Sequence, residues 1–498
     1  MTTRKTTRAT KIAGLLFGLA TVACSQPGAE LSAQTDQSVA DAVATITVAD
    51  LQARIGALAH DSMRGRNTPS PELEKAARHI GRRFREFGLQ AIEDGSYLQD
   101  YPLTFTALAT SAEQSVRIDG AGGGDLPSAA IIVVPGARFG RVDAPIRTTS
   151  ADDRSSLGGV VAAVHVTQPG LQRAFADVRG IIDRGAEGVL LVVDAPDAYF
   201  RGLRRFFDRE QMALGVADEV PAPVVLVSRS ALAPALGDAI AQGRTIDGYE
   251  AVLRTSSLIR ETSAPNTIGW IEGSDPDLRH EFVVFTAHMD HVGIGRPVNG
   301  DSIFNGADDD GSGTAAIIEL AEAYASMEAA PRRSLVFMLV SGEEKGLLGS
   351  EWYSEHPIFP LESTVANVNI DMIGRNWRDT VVAIGRDESS LGSTLEAVVA
   401  RHPELGLTMI DDPWPDENFY FRSDHYNFAR KGVPVLFFFT GTHEDYHGVG
   451  DESDRILYDK TARIARLIFH LGLEIANADG RPEWDPAAYE RVVEEGSR

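Results

Sequence analysis

Residues 288–313 read HMDHVGIGRPVNGDSIFNGADDDGSG, and this stretch decides how the rest of the chain is interpreted. It follows an apolar run, Phe282–Phe285, and precedes apolar residues at helical spacing from Ala315 to Met327. The pattern predicts a strand, then a loop rich in His and Asp, then a helix. In an open α/β sheet such loops lie at the carboxyl ends of the strands, where ligands bind. Histidine and aspartate at this density, with glycines that let the backbone turn, favour a divalent metal site.

The whole chain has the size and composition of a globular protein with two or three domains. It has 498 residues, of which 43% are hydrophobic, and a formal net charge of -24. Such an acidic chain lacks the basic face that phosphate binding requires, so no nucleic-acid partner is expected. The single cysteine, Cys24, excludes an internal disulfide and a zinc site built on several thiolates. A metal would therefore be held by histidines and carboxylates.

The start of the chain is typical of an export signal. Basic residues occupy positions 4, 5, 8 and 11, and an apolar segment runs from Ile12 to Ala23, directly before Cys24. This segment is too short to span a bilayer stably, which predicts a signal peptide over residues 1–23. Small residues before the only cysteine resemble a bacterial lipoprotein signal, although Thr21 stands where leucine is usual. We expect a periplasmic or outer-membrane lipoprotein attached to the membrane only through Cys24, with plain secretion as the alternative.

The remainder of the chain changes character at about residues 110 and 263. Apolar residues recur at helical spacing from Val48 to Phe87, which predicts a helical start to the main domain. The middle part alternates short β-like runs with helical stretches and has few residues of catalytic type. It is interpreted as an inserted domain that shapes access to the site, with a plain spacer as the alternative. The predicted division is a tether over 24–45, the first part of the main domain over 46–110, the insertion over 111–262, the second part of the main domain over 263–478 and a tail over 479–498.

Continuous apolar runs predict the strands of the main domain. They are Phe282–Ala287, Ser334–Val340, Val365–Ile370, Thr380–Ile384 and Val433–Phe439. Amphipathic stretches predict helices over Ser312–Met327, Ser390–Arg401 and Ile456–Ile475. Strands that are apolar throughout suit a sheet covered by helices on both faces, so the expected fold class is α/β.

Polar residues follow these strands, one cluster after another. The clusters are His288 and Asp290, then Asp308–Asp310, then Glu343 and Glu344, then Asp371, and then His443, Glu444, Asp445 and His447. Imidazoles and carboxylates at one sheet edge suit a two-metal hydrolytic site, in which zinc activates water and a free carboxylate acts as general base. A calcium loop around Gly311 fails on spacing, because its first and twelfth positions would be Gly306 and Ile317.

Five motifs together resemble those of the co-catalytic di-zinc peptidase family, which includes bacterial leucyl aminopeptidases and glutamate carboxypeptidase II. In family order they are Gly306–Gly313, Ser341–Glu344, Asn369–Met372, Phe421–Tyr426 and Asp445–His447. The helical start and the inserted region resemble the family's N-terminal segment and its protease-associated domain. The resemblance implies a three-layer zinc-peptidase fold, with a mixed central sheet, helices on both faces and an inserted protease-associated domain.

The resemblance also implies a role for each matched residue. Two Zn2+ ions are expected, held by His288 and Asp371 on one side, by Glu344 and His447 on the other, and by Asp309 between them. Glu343 matches the general base and Asp290 the carboxylate that orients His288. Tyr420 matches the tyrosine that helps to stabilise the oxyanion.

Neighbouring residues are expected to have supporting roles. The histidines His291, His425 and His443 are interpreted as pocket or outer residues rather than ligands, and Asp308 and Asp310 as acceptors of backbone hydrogen bonds.

Two features concern the backbone around the bridging residue and the last ligand. The resemblance implies a cis peptide between Asp309 and Asp310. After His447 the family usually continues with Thr-Pro and a further Asp, whereas this chain continues with the residues Gly, Val, Gly and Asp over 448–451. The wall beside that ligand is therefore expected to differ.

The resemblance implies an exported exopeptidase that removes N-terminal residues from peptides. A hydroxide that bridges the zinc ions attacks the scissile carbonyl, and Glu343 passes its proton to the leaving amine. A carboxypeptidase on the same scaffold is the main alternative. An amine needs acidic groups, which the segment 411–417 near Tyr420 offers, whereas a carboxylate needs a cation such as Arg375 or Arg422. A single-zinc glutaminyl cyclase and an inactive binding protein like the transferrin receptor are less favoured, because all five ligands are retained. The oligomeric state and the preferred residue stay open.

Overall fold

The computed structural model describes residues 1–2, 37–108, 114–134, 140–150, 152–216 and 220–495. Most of the predicted signal peptide, Cys24 and the first part of the tether lie outside these ranges, so the expectations for them are not addressed by the fold. Within the described ranges, no helix is both long enough and apolar enough to cross a membrane.

Two sheets and a hairpin contain the strands of the described residues. In chain order the strands are β1 (Leu98–Leu108), β2 (Ser115–Asp119), β3 (Gly124–Asp125), β4 (Ile131–Val133), β5 (Gly140–Thr148), β6 (Val161–Thr167), β7 (Gly188–Asp194), β8 (Gln211–Leu214), β9 (Val224–Ser228), β10 (Glu250–Thr255), β11 (Ser257–Ile271), β12 (Phe282–His288), β13 (Gly293–Val298), β14 (Asp301–Phe304), β15 (Ser334–Val340), β16 (Thr364–Ile370), β17 (Thr380–Ile384), β18 (Thr408–Ile410) and β19 (Val435–Phe439). The larger sheet has the strand order β18-β17-β19-β16-β12-β15-β11-β1-β8, and the smaller sheet has the order β3-β2-β10-β5-β6-β7-β9-β4. Strands β13 and β14 pair with each other.

The helices pack against these sheets. In chain order they are α1 (37–44), α2 (Val48–Leu58), α3 (Pro71–Phe87), α4 (Leu171–Asp183), α5 (Asp197–Phe207), α6 (Pro234–Ala241), α7 (Gly311–Ala325), α8 (Leu348–Glu355), α9 (Leu391–Arg401), α10 (His425–Ala429), α11 (Tyr458–Asn477) and α12 (Pro486–Tyr489).

The middle of the larger sheet is a block of four parallel strands, β19, β16, β12 and β15. Every residue of β12, β15 and β16 is buried. Alternate residues of these strands pack into two different cores, one with helices α3, α7, α9 and α11 and one with α8 and α10. This confirms the predicted fold class, a mixed α/β sheet with helices on both faces. The carboxyl ends of the four strands meet at one edge of the sheet.

The continuous apolar runs were a good guide to the parallel strands, and the pairing of β1 with β11 was not foreseen. All five predicted strands and all three predicted helices of the main domain are present, with ends that agree to within about two residues. Strands β1 and β11 pair antiparallel from Leu98 opposite Thr267 to Leu108 opposite Ser257. Both contain a proline and several polar residues, so their sequences lack a strand pattern and their pairing depends on the fold.

The smaller sheet is built from residues of the predicted insertion. It has apolar cores on both faces, one of which is covered by α4 and α5 and the other by α6. Strand β8 comes from the same part of the sequence but pairs with β1 at the edge of the larger sheet. The identity of this sheet as a protease-associated domain, and the domain boundaries, stay predictions.

Candidate metal centre

The carboxyl edge of the parallel block brings together most of the side chains that the sequence singled out. They lie at the end of β12, in the loops that follow β15, β16 and β19, and just before α7. They are His288, Glu343, Glu344, Asp371, His447 and Asp309. The strands fix the positions of these loops because each strand is paired and buried along its whole length.

Asp309 lies at the middle of the cluster. Its Oδ1 atom is 3.2 Å from His288 Nε2, and Asp371 Oδ1 is 3.6 Å from the same nitrogen. Its Oδ2 atom is 3.1 Å from His447 Nε2, which lies 3.0 Å from Glu344 Oε2. The two oxygens of one carboxylate therefore face two separate groups of potential ligand atoms.

His291 belongs to the second group, although the sequence suggested an outer position. Its Nδ1 atom is 2.8 Å from Glu344 Oε1 and 3.7 Å from Asp309 Oδ2. The side chain is 0% exposed, and neither ring nitrogen has a hydrogen-bond partner among the described residues. The sequence signal is a second imidazole in the run His288–His291, but spacing alone does not show which way that ring points.

The donor set fits a divalent metal. His288, Asp309 and Asp371 form one group in which the donor atoms all lie within 4.8 Å of one another, and His291, Asp309 and Glu344 form another. Buried oxygens of Asp309, Glu344 and Asp371 have no hydrogen-bond partner among the described residues. Because buried charges without partners are costly, these oxygens need a cation. Nitrogen and oxygen ligands at about 2.0–2.1 Å from a tetrahedral zinc ion stand roughly 3.3 Å apart, which is close to the spacing found here.

The electrostatics of the cluster also favour a cation. Burial alone would lower the pKa of His288, but Glu343 and Asp371 raise it well above its usual value. Burial alone would raise the pKa of Asp309, but the imidazoles around it lower that pKa well below its usual value. The carboxylates that hold a proton on His288 attract a metal ion to the same place.

Glu343 lies beside the ligand groups without belonging to either of them. Its Oε2 atom is 4.0 Å from His288 Nε2, and the side chain lines a cavity together with His288, Asp309 and Asp371. Burial raises the pKa of Glu343 well above its usual value. A carboxylate in this position is suited to accept a proton near neutral pH.

Asp290 lies behind His288, and its backbone carbonyl is nearer to the His288 ring than the carboxylate that was expected to orient it. The Nδ1 atom of His288 is 3.2 Å from the backbone carbonyl oxygen of Asp290 and 3.8 Å from its carboxylate. The carboxylate instead accepts hydrogen bonds from Thr68 Oγ1 at 2.8 Å and from the Glu343 backbone N–H at 3.3 Å. The carbonyl of Asp290 thus orients His288, while its side chain holds the segment that carries Glu343.

Tyr420 lies beside residues of the cavity wall, and its predicted role toward the oxyanion stays a prediction. This residue does not line the cavity; its hydroxyl is buried without a partner among the described residues, and the charged groups that act on it are Glu388 and Arg491. Tyr446 lines the cavity instead, and its ring stacks on His447 with the centroids 4.0 Å apart. Burial, and then the charges of nearby carboxylates including Asp309, raise the pKa of Tyr446. Two nearby tyrosines are therefore candidates for a hydrogen bond to a developing oxyanion, Tyr420 by motif and Tyr446 by its place in the cavity wall.

The carboxylates on either side of Asp309 fix the backbone of its loop. Asp308 accepts a hydrogen bond from the Gly374 N–H at 2.6 Å. Asp310 accepts from the N–H groups of Gly313 at 2.8 Å and of His288 at 3.2 Å. Both contacts confirm the predicted acceptor roles. The peptide between Asp309 and Asp310 is cis, as predicted.

Asp451 adds a support that the sequence analysis did not assign. Its carboxylate accepts hydrogen bonds from the backbone N–H groups of Asp308 at 3.0 Å and Asp309 at 3.1 Å. The unusual continuation after His447 therefore still supplies a carboxylate that holds the central loop.

The other two histidines near the motifs lie outside both ligand groups. His425 stacks on Phe437 with ring centroids 4.6 Å apart, and burial lowers its pKa to about 3. His443 Nε2 lies 3.4 Å from Asp308 Oδ2. These positions agree with their interpretation as pocket or outer residues.

The charged residues considered for binding a substrate terminus are mostly engaged elsewhere. Arg375 donates to Asp445 at 2.7 Å and does not line the cavity. Asp411 pairs with Arg386 at 2.5 Å, and the segment 411–417 does not line the cavity. Arg422 does line it, and its Nη1 atom lies 3.3 Å from Glu417 Oε2.

The fold and the site define an α/β protein with a candidate metal centre of carboxylates and imidazoles at the edge of a parallel sheet. Residues 266–472 match the model of peptidase family M28, which supports the resemblance found in the motifs.

Named relatives and solved structures are similar to this chain over part or most of its length. Aminopeptidase YwaD of Bacillus subtilis is 26% identical over 256 residues, which are 50% of this chain and 51% of that protein. A probable glutamate carboxypeptidase of Arthroderma benhamiae is 36% identical over 128 residues, which are 24% of this chain and 16% of that protein. The chain thus spans between about one-sixth and about half of the length of these two relatives. A solved aminopeptidase from Aneurinibacillus sp. strain AM-1 superposes with a TM-score of 0.49 at 20% identity, over 89% of this chain and 97% of that one.

Proposed function

We propose that the protein is a metal-dependent exopeptidase that removes N-terminal residues from peptides and works with two zinc ions. The observation that carries this proposal is the position of Asp309, whose two carboxylate oxygens face different groups of imidazole and carboxylate donors. A carboxylate shared in this way is what a two-metal hydrolytic centre requires. The name of YwaD, the relative that matches over half of this chain, supports aminopeptidase activity.

The residues that would hold the ions follow from the two groups. His288 and Asp371 would hold one ion, Glu344 and His447 the other, and Asp309 both. Such ions supply Lewis acidity toward a carbonyl oxygen and activate water at neutral pH.

The protein's own groups would then move the proton and stabilise developing charge. Glu343 accepts the proton of the attacking water and donates it to the leaving amine, since its carboxylate lines the cavity without joining a ligand group. Tyr446 keeps its proton at neutral pH, because its pKa is raised, and its place in the cavity wall suits it to donate a hydrogen bond to the oxyanion.

Carboxypeptidase activity is the second candidate, and Arg422 is the observation that favours it. A substrate carboxylate needs a cation in the cavity wall, and Arg422 is placed there while Arg375 is not. The contact of Arg422 with Glu417 partly neutralises its charge. The acidic segment 411–417 gives no support to amine binding in its present position.

The deciding experiment uses a matched pair of short peptides and zinc-loaded protein. One peptide has a blocked N-terminus and the other a blocked C-terminus. Cleavage that requires the free amine supports the proposal, and cleavage that requires the free carboxylate supports the second candidate. The Glu343→Gln variant keeps the shape of the side chain and should lower the rate by roughly 10²–10⁴-fold, because it removes the proton acceptor. If wild-type protein with bound zinc cleaves neither peptide, the proposed function is wrong.

We further propose that the chain is exported and lipidated at Cys24, and that residues 111–262 form a protease-associated domain that shapes access to the site. The basic start, the short apolar segment and the small residues before the only cysteine support export. The mass of the mature N-terminus tests it: a diacylated Cys24 supports lipidation, and a cleaved but unmodified chain supports plain secretion.

A further inference from the structure

We infer that His291 is a metal ligand, so that one ion of the proposed pair is held by four protein side chains and the other by three. This inference rests on the metal-binding part of the proposed function. The group of four consists of His291, Glu344, His447 and Asp309, and the group of three consists of His288, Asp371 and Asp309.

The position of the ring is the first argument. His291 Nδ1 lies 2.8 Å from Glu344 Oε1 and 3.7 Å from Asp309 Oδ2, and these three donors all lie within 4.8 Å of one another. The distances bracket the roughly 3.3 Å expected between two ligands of one tetrahedral zinc ion. They are similar to the distances of 3.2 and 3.6 Å that His288 Nε2 makes in the other group.

The direction of the ring is the second argument. A separation of 2.8 Å is short enough for a hydrogen bond, yet neither His291 Nδ1 nor Glu344 Oε1 has a partner with hydrogen-bond geometry among the described residues. The two atoms are therefore close, but the ring N–H direction does not meet the geometry of a hydrogen bond to Glu344 Oε1. Donor atoms that bind a common ion are arranged in this way, because each lone pair is directed at the ion.

Burial is the third argument. The His291 side chain is 0% exposed, and both ring nitrogens are buried without hydrogen bonds to described residues. A polar ring buried without partners is costly, and coordination would supply the missing interaction at Nδ1. His447 approaches the same carboxylates from the solvent side, with 38% of its side chain exposed. The rings of His291 and His447 are 5.7 Å apart between centroids and inclined at 71°, which leaves room for one ion between their nitrogens.

Unequal ligand numbers have a measurable consequence. Four protein ligands are typical of zinc that is held tightly, whereas three leave a position open for water or substrate. The group containing His291 should therefore load first and lose its metal last. The group containing His288 and Asp371 should exchange more readily and lies beside Glu343 in the cavity.

Cobalt substitution tests the inference on the wild-type protein. In Co2+-loaded protein each ligand histidine gives a strongly shifted, exchangeable ring N–H resonance that disappears in D2O. The first equivalent of Co2+ should give two such resonances, from His291 and His447, and the second equivalent should add one from His288. A single resonance after the first equivalent would overturn the inference.

Variants give an independent readout through zinc affinity. Replacing His291 by Ala should weaken one zinc equivalent by more than roughly 100-fold, the upper range for loss of a group that only supports a ligand. His291→Asn places an amide oxygen where Nδ1 lies and should bind that zinc more tightly than His291→Gln, whose oxygen lies farther out. The matched control is His425→Asn, which alters a buried histidine that also has two unpartnered nitrogens but stacks on Phe437. It should leave both affinities unchanged.

The outcomes separate this inference from the proposed function. Circular dichroism of the metal-free variants establishes that they fold, and chelator competition gives each affinity without any measurement of activity. If all His291 variants bind both zinc equivalents within about threefold of wild type, His291 is not a ligand, even when wild-type protein cleaves peptides. If wild-type protein binds two ions and the resonance count is as expected but no peptide is cleaved, the ligand assignment stands and the peptidase proposal fails.

Discussion

The two sheets of this protein differ in the residues at the carboxyl ends of their buried parallel strands. Strand β12 of the larger sheet ends at His288, whose side chain is 1% exposed. It lies among buried carboxylates, some of whose oxygens have no hydrogen-bond partner among the described residues. Strand β7 of the smaller sheet is buried along most of its length and ends at Asp194, whose side chain is 45% exposed and paired with Arg229. A polar residue at a strand end is therefore not sufficient for a site. The larger sheet has a candidate site because imidazoles and carboxylates from several strand ends are buried together there.

Substitution of Asp309 should have the largest effect on metal binding and on rate, and it tests whether the buried strand-end groups form the site. Asp309→Asn removes the negative charge that both ligand groups share, so the proposed ions should bind much more weakly. We expect peptide hydrolysis to fall by more than roughly 10⁴-fold, as for loss of a group that serves both metals and the geometry of attack. Metal content after dialysis, measured by mass spectrometry, and the initial rate check the prediction.

Asp194→Asn is the matched control in the smaller sheet. It makes the same chemical change at the end of a parallel strand, but the carboxylate there is exposed and paired. Metal content and rate should match wild type. A comparable loss in both variants would mean that the contrast between the two sheets has no functional meaning.

Arg66 gives the next largest effect, on stability. Its side chain is 1% exposed and donates to the carbonyl oxygens of Met289, Leu58, Asn305 and Gly306 at 2.6–2.9 Å. Arg66→Met should lower the free energy of unfolding by about 4 kcal/mol, at roughly 1 kcal/mol for each buried carbonyl that loses its donor.

The control for Arg66 is again in the smaller sheet. Arg117 is 53% exposed and pairs with Asp119 at 2.8 Å on the surface. Arg117→Met should change stability by less than about 1 kcal/mol, because exposed ion pairs contribute little. Urea unfolding gives the free energy of unfolding of both variants. Equal losses of stability would show that the buried guanidinium of Arg66 does not support the backbone around Met289 and Gly306.

The sequence was sufficient for the parts of the molecule that depend on local patterns. Continuous apolar runs located the parallel strands, and the polar residues after them located the cluster around Asp309. The pairing of β1 with β11 could not be predicted, because Pro102 and Pro265 interrupt runs that only long-range pairing makes into strands. Ring direction was equally inaccessible. His291 was placed outside the ligand groups because a sequence position does not specify where Nδ1 points.

Tyr446 and Tyr420 differ in their position relative to the cavity wall, so substitution of each should affect the rate differently. Tyr446 lines the cavity beside the buried groups, whereas Tyr420 is half-buried, with Glu388 and Arg491 as the charged groups nearest in effect. Tyr446→Phe should lower kcat by roughly 10²–10³-fold, the usual effect of losing one oxyanion donor, with little change in KM. Tyr420→Phe should keep kcat within about threefold. If Tyr420→Phe lowers kcat more than Tyr446→Phe does, Tyr420 and not Tyr446 is the oxyanion donor.

The smallest expected effect is the loss of stability at acid pH that is caused by protonation of His425. Burial lowers the pKa of His425 to about 3 in the folded protein, from an ordinary value of 6.5. Because the folded state disfavours the protonated ring, its contribution to stability is complete above pH 6.5 and is lost as the pH falls toward 3. His425→Phe removes this titration and keeps an aromatic ring against Phe437. Between pH 7 and pH 4 the variant should therefore lose roughly 3 kcal/mol less stability than wild type.

Tryptophan fluorescence during urea unfolding of the metal-free protein is a suitable measurement. All five tryptophans belong to the part of the chain that carries the larger sheet and its C-terminal segment; they are Trp270, Trp352, Trp377, Trp414 and Trp484. The signal therefore follows the unfolding of that part and not of the smaller sheet. Parallel stability curves for the variant and wild type between pH 7 and pH 4 would show that His425 takes up its proton without opening the fold. The interior behind the metal centre would then be as tolerant of charge as the exposed strand ends of the smaller sheet.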